Sequence, residues 1–121
     1  PGCRAGSYPD EGDMSAWGWL LQRVTAALVA ILLATHLWLL HYVYLGEKIS
    51  FQRVAERLTS PPILAIELVL LGAAIYHALY GLRSILIDYR WGNARAWTWS
   101  FVVLGVAGFA LGSYALFGFV R

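Results

Sequence analysis

Charge is what this sequence has least of. Of its 121 residues, 13% are Asp, Glu, Lys or Arg, where an ordinary soluble domain carries about 25%. So few charges cannot cover a small globule, and a soluble fold of this composition would expose large apolar patches. Lipid is the solvent that suits a chain 60% hydrophobic with a mean hydropathy of +0.61. The single cysteine, Cys3, can form no internal disulfide, and no Cys cluster is present to hold an iron–sulfur centre. No glycine-rich dinucleotide fingerprint occurs, which excludes a flavin or nicotinamide fold. The net charge of +2 is small and the basic residues are scattered, so nothing suggests a nucleic-acid groove. Asp10, Glu11 and Asp13, not a basic region, precede the first apolar run, and that run is too long for a secretory signal.

Long uncharged runs are what the sequence does have. Residues 1–15 are polar and rich in Gly and Pro and are expected to be irregular, leaving 16–121 as one membrane domain. From Val24 to Leu45 there are 22 residues with no Asp, Glu, Lys or Arg. About 20 apolar residues cross the hydrocarbon core as a helix, so a first span is expected over about 19–45. Trp17 and Trp19 before it, and Tyr42 and Tyr44 at its end, stand where interfacial aromatics collect. Gly46 ends the run. In Glu47–Ser60, Ile49, Val54 and Leu58 alternate with Lys48, Arg53, Glu56 and Arg57, which reads as a short amphipathic helix at the interface.

Pro61-Pro62 suit the first turn of the next helix, whose early N–H groups need no partner. The second span, about 63–87, is interrupted by Glu67, His77 and Arg83. A tight turn over Asp88–Asn93 leads to a third span, 96–120, with no charged residue in 25 positions. Its Gly105, Gly108 and Gly112 permit close approach of another helix. The expected fold class is therefore an all-α membrane protein. Three transmembrane helices run up-down-up, with a short interfacial amphipathic helix between the first two. The positive-inside rule gives no orientation. Arg4, Arg23, Arg90 and Arg95 on one side balance Lys48, Arg53, Arg57 and Arg121 on the other.

Ionisable residues inside a span are costly and are functional suspects by default. His77, Gly81, Ser84 and Asp88, at offsets 0, 4, 7 and 11, fall on one narrow stripe of the second helix. A neutral imidazole can ligate haem iron, and a glycine one turn away leaves room for a flat macrocycle. Asp88 and Tyr89 lie about 16 Å farther along the axis, at the interface. The alternative is a buried histidine bonded to a neighbouring helix beside an ordinary Asp-Tyr turn. His36 and His41 are about 140° apart around the first helix and cannot serve one face. His36 reads as a helix-packing hydrogen bond, for instance to Thr or Ser. His41 reads as a wet interfacial residue, and Glu67 as an interfacial or inter-subunit pair. Trp91, Trp97 and Trp99 read as belt anchors, with Trp91 placed to line a pocket at the turn.

The segment His77-Ala-Leu-Tyr-Gly81-Leu-Arg83-Ser-Ile-Leu-Ile-Asp88-Tyr89 resembles the His-x3-Gly-x6-Asp signature of the cytochrome b membrane anchors of succinate dehydrogenase and fumarate reductase. The stretch Leu21-Gln22-Arg23-Val24-Thr25-Ala26 is similar to the Arg-x-Ser/Thr-Gly/Ala motif of the same family. Asp-Tyr resembles the hydrophobic D-type anchor, while Gly81-Leu82-Arg83 is more like the C-type; the D-type is favoured. The resemblance implies His77 as axial ligand of one haem b, with Gly81 and Ser84 beside it, shared with a second anchor subunit. It implies Tyr89 as hydrogen-bond donor to a quinone, with Asp88 beside it, and Arg23 near the haem propionates and the quinone pocket. A second haem on His36 stays open. The implied partners are a second cytochrome b anchor, an iron–sulfur subunit and a flavoprotein, in a bacterial or mitochondrial inner membrane. A non-redox membrane component, such as a small transporter or assembly subunit with no haem, is the alternative.

Overall fold

The computed structural model describes residues 16–42, 48 and 50–118. Four helices follow in order: α1 (Ala16–His41), α2 (Phe51–Leu58), α3 (Pro61–Asp88) and α4 (Ala94–Gly118). Three of them, α1, α3 and α4, are long and apolar enough to cross a membrane, and the short α2 stands between the first two spans. The expectations for the 1–15 leader, for Tyr44 and Gly46 and for the His41 side chain lie outside the described residues.

The helix ends follow from local chemistry. α1 starts at Ala16, three residues before the expected span, so Trp17 and Trp19 belong to its first turns. Ser50, extended at φ −116°, accepts the Arg53 N–H at 3.4 Å and caps α2. α3 begins on Pro61-Pro62, as the sequence suggests. At its far end the N–H of Arg90 bonds the Ile87 carbonyl at 2.9 Å and that of Trp91 bonds the Leu86 carbonyl at 3.1 Å. That pair of bonds is a Schellman closure, with Arg90 in the left-handed region at φ 54° where glycine is usual. α4 starts at Ala94, two residues early, because the Asn93 side chain accepts the Arg95 N–H at 2.9 Å.

α3 is the centre of the arrangement. It packs against α1 on one side and α4 on the other, while α1 and α4 scarcely touch. The less exposed residues of α1 (Gly18, Gln22, Val29, Leu32, His36 and Leu39 among them) recur every three or four positions and form the stripe that meets α3. On α4 the matching stripe contains Phe101, Gly105, Gly108 and Gly112. A Cβ on Gly105 would come within 3.2 Å of Leu79, and one on Gly112 within 2.7 Å of Leu71. The glycine stripe thus accepts side chains of this chain's own α3, bringing the two backbones close. Arg83 adds a polar tie, its Nε donating to Thr98 Oγ1 at 2.9 Å. Among the described residues only Gly18, Leu58, Ala73 and Phe101 are buried, and the outer faces of α1 and α4 present Ile31, Trp38, Val106 and Leu111 uncovered.

Candidate functional site

Polar side-chain contacts join α1 to α3 at different depths. Nearer the Asp88 end, the Gln22 amide Nε2 donates to the His77 carbonyl at 3.3 Å. Deeper along α1, His36 Nδ1 and Glu67 Oε1 lie 2.5 Å apart, with both side chains largely covered. At 1.5 Å per residue the two contacts are separated by about 15–20 Å along the helices. Their spacing follows from antiparallel packing: fourteen residues along α1 lead from Gln22 to His36, and ten back along α3 lead from His77 to Glu67.

His77 sits mid-helix and is partly buried. Its Nδ1 is enclosed and has no hydrogen-bond partner, and neither has the enclosed Oε1 of Gln22. Buried polar atoms are nearly always paired, so two orphans on touching residues mark this place out. The room left by Gly81 is filled by Gln22, whose Nε2 would be 3.0 Å from a Cβ at position 81. Gly81 is therefore a site of helix approach. Ser84 turns its hydroxyl back to the Tyr80 carbonyl at 3.0 Å.

The interfacial residues are held more openly. Tyr89 is 79% exposed and Asp88 is also exposed at the end of α3. Trp91 is exposed too, and its carbonyl accepts the Trp97 indole N–H at 2.5 Å, which ties the turn to α4. The Arg23 guanidinium lies 4.5 Å over the Trp19 ring. Since its neighbour Gln22 faces Gly81, Arg23 sits about 10 Å inside the level of Asp88 along α3. His77, Gly81 and Gln22 are thus brought together, while Asp88, Tyr89 and Trp91 cluster one step outward. An apolar groove of about 510 Å³ along the α3–α4 seam, lined by Gly72, Tyr76, Tyr80, Gly105 and Phe109 among others, involves none of these residues.

Glu67 corrects the sequence reading. Its partner is not another subunit but His36 of this same chain, and no Thr or Ser takes that place. Gln22 carries no charge and therefore escapes a search for intramembrane ionisable groups; an amide in an apolar helix is the signal that would find it.

The succinate dehydrogenase/fumarate reductase transmembrane subunit family matches residues 9–112. A succinate dehydrogenase hydrophobic membrane anchor subunit of Archaeoglobus fulgidus is 32% identical over 77 residues, which cover 64% of this chain and 65% of that protein. The succinate dehydrogenase cytochrome b558 subunit of Bacillus subtilis is 30% identical over 123 residues, covering 96% of this chain and 58% of that one. A hydrophobic membrane anchor subunit of Rickettsia felis is 28% identical over 71 residues, or 59% and 57% of the two chains. The chain spans less than two thirds of the length of each of these relatives. No solved structure matches it. The recurrent hydrophobic-anchor name agrees with the D-type character of Asp88-Tyr89. With three apolar spans and a family match over most of its length, the chain is an integral multi-pass membrane protein that belongs to the succinate dehydrogenase/fumarate reductase transmembrane subunit family.

Proposed function

We propose that this chain is a D-type membrane anchor of a succinate:quinone oxidoreductase, supplying half of a haem b site and half of a quinone site. The observation that carries the reading is His77. Its imidazole lies in the apolar middle of α3, partly buried and without a hydrogen bond from its ring among the described residues, in a family with a relative named cytochrome b558. An imidazole in a span is expensive unless it has a task. The donor chemistry fits haem iron: a neutral imidazole is an axial ligand of b-type haem, and a partly buried side chain on an open arrangement leaves the second ligand to a partner anchor. A haem b bound there supplies one-electron redox chemistry beside the quinone.

The remaining roles belong to this chain's own side chains. The Tyr89 hydroxyl donates to a quinone carbonyl as charge gathers on its oxygen. Asp88 orients Tyr89 or passes protons from the interface, and Trp91 walls the pocket. Arg23, its planar head resting on Trp19, offers positive charge to propionates and to the quinone oxygen. Ser84 and Gly81 line the face of α3 between the two sites. Succinate chemistry resides on a flavoprotein, and electrons arrive through an iron–sulfur subunit docked at the Asp88 side of a bacterial inner membrane. His36 supports a second reading. Glu67 occupies its Nδ1, leaving Nε2 as a ligand for a second haem in the carboxylate–histidine pattern common at metal sites.

The reduced-minus-oxidised spectrum of the purified complex tests the proposal. A b-type band is expected, and His77→Ala removes or strongly perturbs one low-spin component while the complex stays assembled. An unchanged spectrum in the assembled variant overturns the haem assignment, and a parent complex without a b-type band favours the non-redox alternative.

A further inference from the structure

We infer that Gln22 is the positioning residue for His77, keeping the imidazole proton on Nδ1 so that Nε2 is the bare nitrogen. The inference rests on the reading of His77 as a haem ligand. A main-chain carbonyl can only accept, so the Gln22 contact to the His77 carbonyl must be made by the amide nitrogen. That fixes which way the amide faces and leaves Oε1 as its unfilled acceptor. Oε1 is enclosed without a partner, and so is His77 Nδ1. These are two of the three such side-chain atoms among the described residues, the third being Ser113 Oγ on α4. An amide oxygen can only accept. It is therefore complementary to an imidazole with its proton on Nδ1 and repelled by the opposite tautomer, which would set two acceptors face to face. The two orphans are not bonded to each other in this structure, but the Gln22 contact to the His77 carbonyl sets them on touching residues.

Gly81 is part of the same device. With 3.0 Å between Gln22 Nε2 and the position of a Cβ at residue 81, a side chain there shifts the amide by a few tenths of an ångström. A ligating histidine that gives its other N–H to an acceptor has its tautomer and ring orientation fixed and donates more strongly to the metal. Gln22 thereby sets both the availability of Nε2 and the electron density it delivers.

The test uses the whole complex and reads the haem midpoint potential with its spectrum. Gln22→Glu, an acceptor with negative charge, is expected to lower the midpoint, because stronger donation favours the oxidised iron. Gln22→Leu, with no acceptor, is expected to raise it. Gly81→Ala, which crowds the amide, should shift the midpoint in the same direction as Gln22→Leu and by less. All three retain the haem. Opposite shifts for Glu and Leu are a signature that loss of packing alone does not produce. Shifts in the same direction, or none, with haem retained overturn the inference. If the parent complex carries no haem b, the haem reading fails on its own, and nitrogen-15 magnetic resonance of the labelled His77 ring still decides the tautomer. Protonated Nδ1 in the parent that is lost in Gln22→Leu sustains the role of Gln22; protonated Nε2 in the parent refutes it.

Discussion

The His36–Glu67 contact can be weighed by a double-mutant cycle. Glu67→Leu leaves the His36 imidazole facing an apolar side chain toward the α2 end of the spans, and His36→Leu strands the carboxyl in the same way. A hydrogen bond involving a charged group contributes about 1.5–3 kcal/mol net in water-soluble proteins. Inter-helix polar contacts in membranes average about 0.6 and reach about 1.7 kcal/mol. With side chains only 28% and 20% exposed and the atoms 2.5 Å apart, this pair belongs at the upper end of the membrane range. Each single substitution is expected to cost about 1–3 kcal/mol. The double Leu variant, which strands no partner and packs apolar surface in its place, should come close to the parent. The non-additivity, about 2–6 kcal/mol if the double variant matches the parent, measures the pair together with the cost of each stranded partner. The assay is a detergent or thermal unfolding titration of the purified complex, with the haem spectrum recorded alongside. Two single losses that simply add in the double variant refute the reasoning. Selective loss of one spectral component in His36→Leu would support its role at a second haem.

Three further outcomes are expected. Tyr89→Phe removes one hydroxyl and keeps the ring, so quinone reduction by succinate should fall by about threefold to a hundredfold. Dye reduction and the haem spectrum should hold, and full quinone activity would remove Tyr89 from the site. Gly112→Leu forces a side chain into the space of Leu71, whose nearest atom is 2.7 Å from the would-be Cβ. It should destabilise the α3–α4 seam by about 1–3 kcal/mol, read as a lower unfolding midpoint. Arg90→Gly relieves a left-handed residue at φ 54° and should raise that midpoint, by about 1 kcal/mol of stability.

The spans were legible because an uncharged run of more than twenty residues has few other uses, and the Pro61-Pro62 start and the interfacial α2 followed from equally local chemistry. The start of α4 was legible in principle: Asn93 is a capping residue, but it was absorbed into the turn. The stripe from His77 to Asp88 also came from spacing alone. What spacing could not supply was the register of α1 against α3. Glu67 and His36 are 31 residues apart, and nothing in either helix says they meet. For the same reason Gly81 read as open space when only its own helix was considered, and its neighbour proved to be Gln22 from another.

The His36–Glu67 contact also bears on how the chain enters the bilayer. During synthesis α1 leaves the ribosome well before Glu67 does, so a histidine reaches the insertion machinery ahead of the group that satisfies it. Neither residue is comfortable alone among acyl chains, and α3 arrives carrying a carboxyl whose partner waits on α1. The two helices therefore favour release into lipid as a hairpin, with α1 retained at the lateral exit until α3 emerges. The connection through α2 keeps the waiting time short. On this view the pair acts as a checkpoint on topology: an α3 inserted in the wrong sense would carry Glu67 to the opposite leaflet, leaving both groups without a partner.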